Sequence, residues 1–183
     1  MEKKDIRKMV KERRRDLPED VLLENSRRIC ETVMDLDEFR DAAEIFVYMD
    51  CKGEVSTKPL IEAAWRLGKK VAAPKVEGED MSYYYISSYA DVEDGYFHVP
   101  EPVPVHLACG GASENALLIV PGVGFDANRN RCGYGKGFYD RYLAAHPLHP
   151  TVALAFEFQI VDEVLVRPED IRPRKLITEA RIL

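Results

Sequence analysis

Ala116-Leu117-Leu118-Ile119-Val120-Pro121-Gly122-Val123-Gly124-Phe125-Asp126, followed after a short polar interval by Arg131-Cys132-Gly133-Tyr134-Gly135-Lys136-Gly137-Phe138-Tyr139-Asp140, carries the organisation of this chain in one stretch. The apolar run from Ala116 to Val120 has the length and composition of a buried strand, and Pro121-Gly122 ends it. A polar loop then leads into a helix expected from about Gly137 to Ala145. Strand, glycine-bearing loop and helix in that order form the unit from which parallel α/β sheets are built. In such sheets ligands bind on the loops that follow the carboxyl ends of the strands.

The pattern extends in both directions. Residues 2–15 read as an amphipathic helix, with Ile6, Met9 and Val10 on one face and cations elsewhere. Asp16 is placed to cap a second helix, with Pro18 early in it and Glu19 completing a capping box. That helix is expected to reach about Met34 and to bury Leu22, Ile29 and Val33. Glu44 to Met49 reads as a buried strand, Ser56 and Thr57 as caps of a helix through Leu67, and Gly68 as its stop. Val71 to Val76 is the next strand and Tyr83 to Ile86 a further one. Pro100, Pro102 and Pro104 mark a non-helical loop. Downstream, Thr151 to Phe156 and Leu176 to Thr178 complete the set. The alternation predicts α/β architecture with a mostly parallel or mixed central sheet covered on both faces, residues 1–183 forming a single domain.

Composition narrows the function. Hydrophobic residues make up 46% and charged residues 32%, the balance of a folded cytosolic protein. No apolar run is long enough to span a bilayer, and the charged N-terminus has no signal-peptide core. Cys30, Cys51, Cys109 and Cys132 form no C-x-x-C pair, so reduced thiols in a cytoplasmic protein are expected. Residues 1–16 carry eight Lys/Arg against four Asp/Glu, a local +4, and the formal net charge of −6 leaves −10 for the remaining 167 residues. An acidic body argues against nucleic acid as a partner.

The glycines of the 131–140 segment permit positive φ and close approach of backbone N–H groups to a ligand. The helix that follows favours an anion at its N-terminus, and Arg131 and Lys136 add full charges. The segment reads as a phosphate cradle, although it matches neither G-x-x-x-x-G-K-[ST] nor G-x-G-x-x-G. A tight turn with no ligand is the competing reading of the glycines alone. Asp140 favours the cradle, because a carboxylate beside phosphates needs a bridging cation, and Mg2+ takes one or two carboxylates plus phosphate oxygens. Asp140 follows Lys136 by four residues, so an exposed Lys136–Asp140 ion pair is the alternative.

Together with Lys3 and Arg7, Glu54-Val55-Ser56-Thr57, Val99-Pro100-Glu101-Pro102, Ala153 to Gln159, Glu169-Asp170 and Ile177-Thr178-Glu179, these motifs closely resemble the 5-formyltetrahydrofolate cyclo-ligase (methenyltetrahydrofolate synthetase) family over nearly the whole chain. The resemblance implies a three-layer α/β/α fold of the NagB/RpiA/CoA-transferase type. It also implies ATP- and Mg2+-dependent cyclisation of 5-formyltetrahydrofolate to 5,10-methenyltetrahydrofolate through a phosphorylated formyl group.

By the same resemblance Lys3, Arg7, Arg131, Gly133, Tyr134, Gly135, Lys136, Gly137, Phe138 and Tyr139 hold ATP. Lys136, Arg131 and Tyr139 are the catalytic candidates, and Asp140 and Asp170 the magnesium positions. Met49, Glu54, Phe97 and Tyr139 contact the folate. Glu54 would accept two hydrogen bonds from adjacent pterin N–H donors; a solvated glutamate near the Ser56 cap is the alternative. Lys3 and Arg7, four apart, share a helix face. Cys132 and Phe138 depart from the usual Leu and Tyr, and Cys132 is expected to be a buried, inert thiol. His98, His106, His146 and His149 match no catalytic pattern, and His146 and His149 are expected in a surface loop. The substrate class is a small molecule, 5-formyltetrahydrofolate with or without a polyglutamate tail. No membrane partner is expected, and the chain is expected to act as a monomer or weak homodimer. Two rivals stand: a non-catalytic nucleotide- or folate-binding module of the same fold, and a sugar-phosphate isomerase on a similar scaffold.

Overall fold

The computed structural model describes residues 1–103 and 116–183, without the side chain of Phe97. His106 and Cys109 fall outside the described residues, as do Pro104 and the Phe97 ring. The elements run α1 (Lys3–Asp16), α2 (Glu19–Met34), α3 (Asp37–Asp41), β1 (Glu44–Val47), α4 (Lys58–Arg66), β2 (Lys70–Glu77), β3 (Asp80–Ile86), β4 (Val92–Asp94), β5 (Pro100–Pro102), β6 (Leu117–Val120), β7 (Gly124–Asp126), β8 (Arg131–Cys132), α5 (Phe138–Ala145), β9 (Thr151–Leu154), β10 (Ile160–Val161) and β11 (Lys175–Ile177).

Six strands form the central sheet in the order β11-β9-β6-β1-β2-β3. Its pairs are parallel except β2–β3, which is antiparallel across seven residues from Val71↔Ile86 to Glu77↔Asp80. Alternate side chains point to opposite faces, as the two-residue period of a strand requires. Ile45, Val47, Leu117, Ile119, Val152 and Leu154 pack with Ile29, Val33, Leu60 and Ile61 of α2 and α4. Phe46, Leu118, Val120 and Ala153 pack with Tyr142 and Leu143 of α5 on the other face. Strands buried on both faces read as continuous apolar runs, which is why β6 is the plainest element in the sequence.

A second small sheet, β10-β7-β8, sits under α1. Ile6 and Val10 of α1 are fully buried against Val123, Cys132 and Val164. This contact needs glycine at 124: a Cβ there would lie 2.4 Å from Ile6 Cγ2. The first helix is thereby held against the strand–loop unit that the sequence marks as functional.

Several local expectations change. Asp16 closes α1 instead of capping α2, whose N-cap is Pro18, and no side chain caps either helix start. Thr57 is the N-cap of α4, but its hydroxyl bonds Tyr48 O at 2.9 Å and Asp50 Oδ1 at 3.0 Å instead of a helix N–H. The 100–102 segment is a strand paired with β4, since proline is tolerated on an edge. His149 is buried, its Nδ1 3.0 Å from Ala116 O, and does not lie in a surface loop. Gly68 does end α4, at φ +72°. Among the described residues no helix is long and apolar enough to cross a membrane.

Candidate active site

The loop between β8 and α5 separates two cavities. The larger, about 650 Å³, is lined by Lys3, Arg7, Arg131, Gly133 to Arg141, Arg167, Glu169 and Asp170 among others. Its basic side chains outnumber its acidic ones two to one, a local reversal of the acidic body. The second, about 350 Å³ and mostly apolar, is lined by Tyr48, Met49, Cys51, Glu54, Val76, Met81, Tyr96, Val99 and Glu101. Pro121, Tyr134, Lys136, Phe138 and Tyr139 line both.

Backbone conformation shapes the loop. Gly135 sits at φ +104°, where an L-residue is strained, and a Cβ would come 3.3 Å from an Arg7 guanidinium nitrogen. Gly137, also at positive φ, is the N-cap of α5, with no side-chain cap on the helix. The first N–H groups of α5 thus carry no side-chain cap where the loop lines the larger cavity.

Arg131, buried in the floor, organises the wall. It donates through Nη2 to Asp140 Oδ1 at 2.7 Å and through Nη1 to Pro121 O at 3.3 Å, with its guanidinium 5.8 Å from the Tyr139 ring centre. Its Nε is buried without a partner among the described residues. Asp140 Oδ1 also accepts from Ile171 N at 3.1 Å. The Lys136–Asp140 pair considered from the spacing is not formed: Lys136 lies outside the helix, exposed at the junction of the two cavities, and Asp140 turns to Arg131. Asp170 Oδ2 accepts from Lys3 Nζ and, at 2.7 Å, from Arg167 N. Burial works to raise the Asp170 carboxyl, but these donors outweigh it and hold it below its ordinary range. Arg7 Nε donates to Gly133 O at 2.8 Å.

In the apolar cavity Glu54 is nearly enclosed. Oε1 accepts from Tyr134 Oη at 2.6 Å and Oε2 from Cys51 N at 3.0 Å. Burial raises the Glu54 carboxyl despite these donors. Burial, then the Glu54 charge, pushes the Cys51 thiol up to about 12, and the same pair of causes raises the Tyr134 phenol. Met49 is buried beside Glu54, and Tyr139, its phenol raised mainly by burial, faces both cavities. Cys132 is buried, its Sγ 3.5 Å from Lys3 O, and desolvation raises its thiol. His98 is exposed, its Nδ1 3.0 Å from Asp94 Oδ2.

The structure thus brings Lys3, Arg7, Arg131, Lys136, Asp140 and Asp170 to one cavity, and Met49, Glu54 and Tyr139 to its neighbour. It adds residues to which the sequence reading gave no individual role. Arg14 donates to Tyr134 Oη at 2.8 Å and to Gly122 O at 3.0 Å. Its spacing of seven from Arg7, two helical turns, was the available signal. Arg141 ties the β2–β3 turn at Glu79 to Lys136 O, the latter at 2.9 Å. Buried Asp126 accepts from Asn128 N, Asn130 N, Asn130 Nδ2 and Val164 N, which fixes the loop below β8. Gln159 Nε2 donates to Gly122 O at 3.1 Å and Val123 O at 2.8 Å, holding the Pro121–Gly124 turn from beneath.

A model of the 5-formyltetrahydrofolate cyclo-ligase family matches residues 1–179. Mouse 5-formyltetrahydrofolate cyclo-ligase is 27% identical, the match covering 97% of this chain and 93% of the mouse protein. The Escherichia coli 5-formyltetrahydrofolate cyclo-ligase is 28% identical, over 95% of this chain and 98% of its own. The solution structure of Aquifex aeolicus 5,10-methenyltetrahydrofolate synthetase superposes with a TM-score of 0.85 at 32% identity, covering 98% of this chain and 91% of that one.

Proposed function

The chain belongs to the 5-formyltetrahydrofolate cyclo-ligase family, and from that premise we propose that it cyclises 5-formyltetrahydrofolate to 5,10-methenyltetrahydrofolate using ATP. The observation that carries the reading is the shared wall: a cation-lined cavity and an apolar, carboxylate-bearing one meet at Lys136. Transfer of a phosphoryl group from one bound molecule to another needs two sites that open onto each other at a cation.

The formyl oxygen attacks the γ-phosphorus, the β–γ bridging bond breaks, and ADP leaves with that electron pair. N10 then attacks the formyl carbon. Loss of the N10 proton, and of phosphate carrying the former formyl oxygen, leaves the cationic methenyl ring. Amide oxygen is a poor leaving group and phosphorylation makes it a good one, so the protein's work is positioning and charge neutralisation. Lys136, at the junction, neutralises charge on the transferred group. Arg131, whose Nε has no partner among the described residues, and Lys3 and Arg7 face the polyphosphate, as do the amides of Gly133 to Tyr139. Glu54 accepts the pterin N–H donors, and Met49 and Tyr139 give the ring apolar walls.

The residues fit Mg2+ accompanying ATP. Among the described residues no cluster of three or more His, Cys, Asp or Glu holds a metal by itself. Two carboxylates lining one cavity, Asp140 and Asp170, would hold the ion together with phosphate oxygens. Held there, it would supply charge neutralisation on the polyphosphate. Free thiols at Cys30, Cys51 and Cys132 favour a cytoplasmic setting.

The test is direct. Purified protein with 5-formyltetrahydrofolate, ATP and Mg2+ is expected to generate the near-ultraviolet absorbance of the methenyl product, and to require all three. Unchanged 5-formyltetrahydrofolate would remove the proposal.

A further inference from the structure

Two arginines of α1 hold the glycine loop at adjacent points. Arg7 binds the carbonyl of Gly133 at 2.8 Å, and Arg14 binds the hydroxyl of Tyr134 at 2.8 Å. Tyr134 has one hydroxyl proton and gives it to Glu54 Oε1 at 2.6 Å, while the carboxylate's other oxygen is taken by Cys51 N. One residue therefore has its backbone in the phosphate loop and its tip on the carboxylate of the neighbouring cavity. Gly135, at φ +104°, follows it directly and supplies the backbone freedom for the loop to turn there.

A ligand approaching the nearly enclosed Glu54 competes with the Tyr134 hydroxyl for Oε1. A phosphate entering the larger cavity is a stronger acceptor for the Arg7 guanidinium than the neutral carbonyl of Gly133. When Arg7 turns to it, the peptide bond preceding Tyr134 loses its anchor.

We propose that Tyr134 is a latch between the two cavities: its hydroxyl occupies Glu54 until polyphosphate binding releases the loop and exposes the carboxylate to the pterin. This rests on the two-cavity reading above and adds a positive coupling between the two substrates. Tyr134 acts here as a positioning residue. By linkage the folate tightens nucleotide binding by the same factor.

Calorimetric titration of 5-formyltetrahydrofolate, with and without the Mg2+ complex of a β,γ-imido ATP analogue, tests the latch. In the native protein the analogue is expected to tighten folate binding by about tenfold. Tyr134→Phe, lacking only the hydroxyl, is expected to bind folate without nucleotide about as tightly as the native protein does with it. The analogue should then shift its affinity by less than about twofold. Tyr134→Ala, which removes the ring as well, is expected to lose the coupling equally. Coupling that persists in Tyr134→Phe, or native coupling below about twofold, overturns the latch. If the native protein still turns over in those cases, the proposed reaction stands without it; if the native protein makes no methenyl product, both fall.

Discussion

Replacing Arg131 by methionine keeps much of the side-chain volume and removes the charge. The native side chain is 4% exposed and that of its partner Asp140 21%. Removing one member of a buried pair costs about 3–5 kcal/mol when the other is left with no compensation. Asp140 keeps the Ile171 N–H at 3.1 Å and reaches solvent in part, so the expected loss is smaller, about 2–3 kcal/mol. For a chain of this size that lowers the melting temperature by about 5–10 °C. Scanning calorimetry on Arg131→Met, Asp140→Asn and the double variant closes a cycle with an expected coupling of about 1.5–3 kcal/mol. Arg131→Lys keeps the charge but not the fork that reaches both Pro121 O and Asp140, so it should recover only part of the loss. A coupling below about 0.5 kcal/mol would show that the pair does not fasten α5 to β8, and the account of the cavity wall would fail.

Lys136→Ala should lower kcat by about 100- to 1000-fold while the dissociation constant for 5-formyltetrahydrofolate stays within about threefold; turnover near the native rate would take Lys136 out of the transfer. Glu54 has a folded-state value above the ordinary 4.5, so it contributes stability that is full below that value and is lost as pH rises through the raised one. Urea unfolding across that window should show the native protein losing stability relative to Glu54→Gln as pH rises, and parallel profiles would contradict the burial argument. Gly135→Ala forces a side chain onto φ +104° beside Arg7 and should cost about 1–3 kcal/mol, with weaker binding of the ATP analogue; a variant of native stability would show that the loop is not so constrained.

Much of this arrangement is legible from residue order alone, for identifiable reasons. β6 is Leu-Leu-Ile-Val, apolar throughout and buried on both faces, the composition of a central strand. The 131–140 segment stands out because it gathers glycines, two cations and an acid at the passage from a strand to a helix. Short edge elements do not announce themselves. β4 and β5 are three residues each, and β5 begins and ends on proline, so they read as loop. β7 and β8 are a short antiparallel pair of three and two residues, and β10 joins them through a pairing far apart in the chain, Ile160↔Phe125, for which no local pattern exists. Partner choice is the other illegible layer. Spacing suggested that Asp140 faces Lys136, whereas the start of α5 at Phe138 leaves Lys136 outside the helix and gives Asp140 to Arg131. His149 reads as surface loop, yet it is buried with its Nδ1 against Ala116 O, just before β6.

The most direct test of phosphoryl transfer between the two cavities follows one atom. Turnover of 5-formyltetrahydrofolate carrying a heavy oxygen isotope in its formyl group, with unlabelled ATP and water, is expected to place that isotope in the released inorganic phosphate, read by mass spectrometry. Methenyl product formed with the label in water and none in phosphate would contradict the account.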